Sequence, residues 1–203
     1  SIVLAMRIFH RRPLISLITP TGHFCIRKVL LAAGLWAVIC LLNNLLDATL
    51  HPGSYQFTFH VQSWFAFLPA ALILTPIQAG AEELFFRGYL LQQTSLLSRN
   101  RWILAGISGI IFAVPHFFNP EMQFGFLLTA LFYFAFGFYM AIVTLKADRL
   151  EYALGIHAAN NLIPVLVANY SGSALPSPSI FTAGIVDPVF NLLSFMAGAA
   201  ILW

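Results

Sequence analysis

Residues 72–87, LILTPIQAGAEELFFR, set two adjacent carboxylates, Glu82 and Glu83, and a guanidinium, Arg87, at the end of a run that is otherwise almost wholly apolar. A charged side chain at the centre of a bilayer costs about 2.5 to 3.5 kcal/mol on insertion scales, so such a cluster needs a functional reason if the run is buried in lipid. The rest of the chain says that it is. Of 203 residues 60% are hydrophobic and only 8% charged, and the mean hydropathy is +0.85, a composition that a soluble domain of this length could not present to water.

Lipid offers the backbone no hydrogen-bond partners, so spanning segments are helices or closed barrels. The apolar runs are about 20 residues long and lack strand-like alternation, which predicts an all-α, polytopic membrane bundle with a polar cavity inside it. Hydropathy places six spans near 28–50, 64–90, 102–118, 124–146, 151–170 and 180–203. Residues 1–27 read as a basic N-terminal segment and 28–203 as a single transmembrane domain. Arg7, Arg11 and Arg12 precede a short apolar piece, Leu14 to Ile18, without a small-residue cleavage site, so a removable signal peptide is not expected.

The basic residues sort by loop. Arg7, Arg11, Arg12, Arg27 and Lys28 precede the first span, Arg99 and Arg101 follow the second, and Lys146 and Arg149 follow the fourth, while the alternate loops carry no Lys or Arg. The positive-inside rule then puts the N-terminus and the basic loops in the cytoplasm, with Trp64, Trp102 and Trp203 near the interfaces. These cations are scattered between helices rather than gathered on one face, which argues against a nucleic-acid partner. Cys25 and Cys40 have no metal-ligand spacing and read as buried apolar residues.

Three spans carry polar groups that an apolar helix does not need: Glu82, Glu83 and Arg87; His116, after Pro115; and His157 with Asn160 and Asn161. Intramembrane ionisable residues face a bundle interior or a wet cavity, so the three sets are expected to converge. Glu83 and Arg87, at i and i+4, share a helix face and can pair, whereas Glu82 is turned by about 100° and is left for chemistry. His157 and Asn161 share a face, and Asn160 turns away. A rise of about 1.5 Å per residue puts His116 about 21 Å from Trp102 but His157 only about 9 Å from Glu151, so tilt or the Pro115 kink must bring them level. Gln78, one turn before Glu82, is placed near the pocket entrance. Asn43 with Asp47, and Asp187 with Asn191, read as interhelical hydrogen-bonding pairs.

In order, Glu82-Glu83-xxx-Arg87, Phe112-xxx-His116 and His157-xxx-Asn161 resemble the motifs of the CPBP (CAAX protease and bacteriocin-processing, Abi) intramembrane proteases, the group that includes type II CAAX prenyl endopeptidases. The resemblance covers about residues 64–170, and Phe132 to Tyr139 with Gly137 is similar to the family's aromatic third motif. It implies an endopeptidase in which Glu82 is the general base on a water also held by His116, His157 and Asn161 stabilise the oxyanion, and Glu83 with Arg87 supports the helix. It further implies a membrane-associated protein or peptide substrate. No cofactor is expected, since the H-E-x-x-H zinc spacing is absent; the alternative is zinc held by Glu82, His116 and His157. A location in a bacterial cytoplasmic membrane is expected. Two other readings compete: a transporter or proton relay built on buried Glu and His, and a non-catalytic immunity or scaffold protein in which the polar residues only join helices.

Overall fold

The computed structural model describes residues 2–203. Six rods form where six spans are expected: α1, Ile26–Leu50; α2, Val61–Thr94; α3, Arg101–His116; α4, Phe126–Ala147; α5, Glu151–Leu166; and α6, Pro188–Ile201. Of these α1, α2 and α4 are long and apolar enough to cross a membrane. The other three have 16, 16 and 14 residues, or about 21 to 24 Å at 1.5 Å per residue, less than a hydrocarbon core about 30 Å thick. The protein is an integral membrane protein: the outward face of α1 is Leu30, Leu31, Val38, Leu42 and Leu45, all exposed, which suits lipid and not water.

Side-chain caps set several helix starts. The Asn100 side chain accepts from Trp102 N at 2.9 Å to open α3, and Asp187 accepts from Val189 N at 2.8 Å to open α6, with Pro188 in the first turn; each satisfies an otherwise orphaned N–H. The last two expected spans differ most from the observed helices. α5 stops at Leu166 and α6 begins at Pro188, because the chain between them forms two strands of a small sheet. Its order is β1 (Tyr55–Phe57), β3 (Phe181–Ala183), β2 (Ala168–Tyr170). β1 runs antiparallel and β2 parallel to β3.

The six rods make two packed groups of three, α1 and α2 on α5, and α3 and α6 on α4, which meet where α5 lies against α4. Where α5 crosses α1, a Cβ on Gly155 would sit 2.2 Å from the Val29 carbonyl oxygen, so only glycine lets the backbones meet. The N-terminal segment is docked at the end that carries the basic loops: Leu17 and Leu150 both close on Gly88, and Leu150 N donates to Ile18 O at 2.8 Å. The same end brings Trp102 and Trp203 into a stack, centroids 6.3 Å apart. The sheet and the Asp47–His51–Tyr55 cluster occupy the opposite end.

Candidate active site

α2 delivers its charges in two directions. Glu83 and Arg87 face the bundle interior, and Arg87 Nη1 donates to Glu83 Oε1 at 2.8 Å with both side chains fully buried, the pairing expected from their spacing. From Leu84 to Leu90 the helix is π-wound, a local widening that is frequent at functional sites. Arg87 also donates through Nη2 to the Gly137 carbonyl at 3.3 Å and lies over the Phe112 ring, 4.3 Å from its centroid. The guanidinium therefore ties α2 to α3 and α4.

Glu83 has a second partner that its spacing did not reveal. His157 Nδ1 lies 2.7 Å from the same Oε1. A carboxylate can only accept, so this nitrogen carries a proton, and Nε2 turns away from Glu83. It faces Glu82, whose Oε2 is 3.8 Å distant. His116 is held in the same manner by another acceptor: Nδ1 donates to the Phe112 carbonyl at 2.7 Å, leaving Nε2 free. Its ring stacks on Tyr133 at 4.3 Å and leans on Phe112 at 4.5 Å, while His157 meets Phe112 edge-on at 6.1 Å. Phe112 thus touches both imidazoles, and both line the same cavity.

Glu82, His116, His157 and Asn161 line one cavity of about 360 Å³, whereas Glu83 and Arg87 lie behind its wall. The cavity reaches from Trp36 in the middle of the bundle to Glu121, Tyr170 and Leu175 at the end without basic loops, and no Lys or Arg lines it. Glu82 Oε2 is buried and has no hydrogen-bond partner among the described residues. Glu82 Oε1 accepts from Gln78 Nε2, and Gln78 Oε1 accepts from Asn161 Nδ2 at 3.1 Å. Gln78 lines the cavity and is also a link in the site; its i, i+4 spacing to Glu82 was the available signal. Asn160 does not turn away: it lines the same cavity, and Trp36 Nε1 of α1 donates to its Oδ1 at 3.2 Å.

At the far end of the cavity Glu121 Oε1 accepts from Tyr170 Oη at 3.1 Å and from Ala174 N at 2.7 Å. Burial and the neighbouring carboxylate push the Tyr170 phenol pKa up, so its proton stays in place to donate. Among the described residues no group of three or more His, Cys, Asp or Glu side chains is arranged to hold a metal ion.

Comparison with known proteins adds two findings. A profile of the type II CAAX prenyl endopeptidase Rce1-like family matches residues 62–163, a stretch that contains Glu82, Glu83, Arg87, His116, His157 and Asn161. The chain is 37% identical over 190 residues to the uncharacterized protein YyaK of Bacillus subtilis (strain 168), covering 93% of this chain and 64% of YyaK. No solved structure matches it.

Proposed function

The chain belongs to the type II CAAX prenyl endopeptidase Rce1-like family, and from that membership we propose that it hydrolyses a peptide bond of a membrane-associated protein or peptide within the bilayer. The observation that carries the reading is that an acid, two imidazoles and a carboxamide from three helices line one cavity, with Glu82 Oε2 buried and unpaired.

The ring contacts of the two histidines support a division of roles. His116 keeps its proton on Nδ1 and offers the Nε2 lone pair to one hydrogen of a water, while Glu82 Oε2 takes the other as the water oxygen attacks the scissile carbonyl carbon. The oxyanion so formed needs donors. Asn161 supplies an amide N–H, and His157, whose Nδ1 donates to Glu83, turns Nε2 to the same side as the second donor. Collapse breaks the C–N bond, and Glu82 returns its proton to the leaving amine. Phe112, Phe136 and Phe132 line the same cavity, and their apolar rings strengthen each of these interactions by excluding bulk water.

The decisive experiment compares the membrane proteome of cells making the wild type with that of cells making Glu82→Gln. Precursors should accumulate in the variant, and cleavage of an identified substrate should fall by about 10²- to 10⁴-fold, the usual contribution of a general base, with thermal stability retained. Processing at the wild-type rate would remove Glu82 from the mechanism. Treatment with 1,10-phenanthroline is expected to leave the rate unaltered; zinc-reversible inhibition would favour the metal alternative. Proton flux into liposomes that tracked Glu82 would favour transport. The charge sorting of the loops supports a bacterial cytoplasmic membrane orientation with the basic end inside, so that the far end of the cavity meets the outer face.

A further inference from the structure

Four hydrogen bonds run in sequence from α1 to the proposed base. Trp36 Nε1 donates to Asn160 Oδ1 at 3.2 Å, Asn160 Nδ2 to Asn161 Oδ1 at 3.4 Å, Asn161 Nδ2 to Gln78 Oε1 at 3.1 Å, and Gln78 Nε2 to Glu82 Oε1. Side-chain amides can be turned over with little change in shape, so one such bond by itself would not fix a direction. The ends of this series remove that freedom. An indole N–H can only donate and a carboxylate can only accept, and three amides between them satisfy every link only when each presents its carbonyl toward Trp36 and its NH₂ toward Glu82.

We propose that Trp36, Asn160 and Gln78 are positioning residues that form a one-way amide chain, setting the polarity of Asn161 and the free oxygen of Glu82. The chemical part of this proposal rests on the protease reading, while the chain itself does not. Two consequences follow from the direction. Gln78 occupies Oε1 of Glu82, which leaves Oε2, buried and unpartnered, as the oxygen that meets water. Asn161 has its carbonyl engaged by Asn160, so the group left for a developing oxyanion is its second N–H; the reverse orientation would present a carbonyl oxygen and repel the negative charge. Packing fixes the indole that starts the series, because the Trp36 ring is buried, stacked on Tyr139 at 6.0 Å and edge-on to Phe195 at 5.7 Å. In a low-dielectric cavity such linked bonds polarise one another, so that a change at one end is felt at the other.

The test has a spectroscopic and a kinetic arm. The protein is labelled with ¹⁵N-indole tryptophan in nanodiscs, and the Trp36 resonance is assigned by its loss in Trp36→Phe. Glu82→Gln weakens the terminal acceptor and should move the Trp36 indole proton upfield; in a Gln78→Leu background the same substitution should leave it in place. A Trp36 resonance indifferent to Glu82→Gln, or one that still moves when Gln78 is absent, overturns the chain.

The kinetic arm uses a peptide spanning the cleavage site found in the proteomic comparison. Aspartate at position 160 can only accept, which forces Asn161 to turn its NH₂ back and Gln78 to present its carbonyl to Glu82. Asn160→Asp should therefore lower kcat at least about 10-fold below Asn160→Ala with KM unchanged, although it is the closer match in shape. A role in packing alone ranks the two the other way, and that ranking would overturn the positioning role. If the wild type cleaves nothing, the protease reading falls by itself, and the indole resonance still decides whether the chain exists.

Discussion

Glu83 holds two side chains in place with one oxygen: Oε1 accepts from Arg87 and from His157, while Oε2 is buried without a partner among the described residues. The two contacts separate by substitution. Removing the guanidinium with Arg87→Met strands a buried carboxylate, and losing one partner of a buried pair costs about 3 to 5 kcal/mol; a thermal or SDS-unfolding assay should register this loss. Glu83→Gln keeps the shape but weakens the acceptor that orients the His157 ring. It should lower kcat more than it lowers stability, whereas Arg87→Met should act chiefly on stability. Equal effects of the two on both quantities would mean that Glu83 serves the helix alone. The Glu83–Arg87 pair was legible from spacing because a helix turn brings i and i+4 together. The Glu83–His157 bond was not, because it joins residues 74 positions apart and depends on how α5 docks.

At the level of elements, the crossing of α3 and α4, like that of α5 and α1, leaves no room for one added methyl. A Cβ on Gly137 would lie 2.8 Å from Phe112 Cβ and 3.0 Å from Gly109 Cα, atoms too close to the backbone to step aside. Gly137→Ala is expected to cost about 1 to 3 kcal/mol through overpacking, and to lower activity as well, since the Gly137 carbonyl anchors Arg87 and Phe112 touches both imidazoles. Wild-type stability in Gly137→Ala would show that the helices can part here without loss. The first four rods could be read from hydropathy to within a few residues. The ends of the last two could not, since Ala168–Tyr170 and Phe181–Ala183 look like apolar continuations, and only pairing with each other and with Tyr55–Phe57 makes them strands. For the site, the motif residues stood out because charge and amide are conspicuous in an apolar helix. Trp36 did not, because an indole there looks like ordinary core.

The whole molecule has a basic end and an end roofed by the sheet, and the cavity reaches only the second. Replacing Cys25 and Cys40 and then introducing single cysteines tests the proposed orientation. Ser173→Cys should react with a membrane-impermeant maleimide in intact cells, and Ser98→Cys only after lysis; the opposite pattern would invert the protein and its cavity. The buried ion pair has a consequence for biogenesis. When α2 leaves the ribosome, neither the Gly137 carbonyl nor His157 has yet been synthesised, so the helix enters lipid without the partners that later satisfy it. Because Glu83 and Arg87 sit one turn apart on the same rod, they neutralise each other during insertion, and the newborn segment carries one net charge where it would otherwise display three.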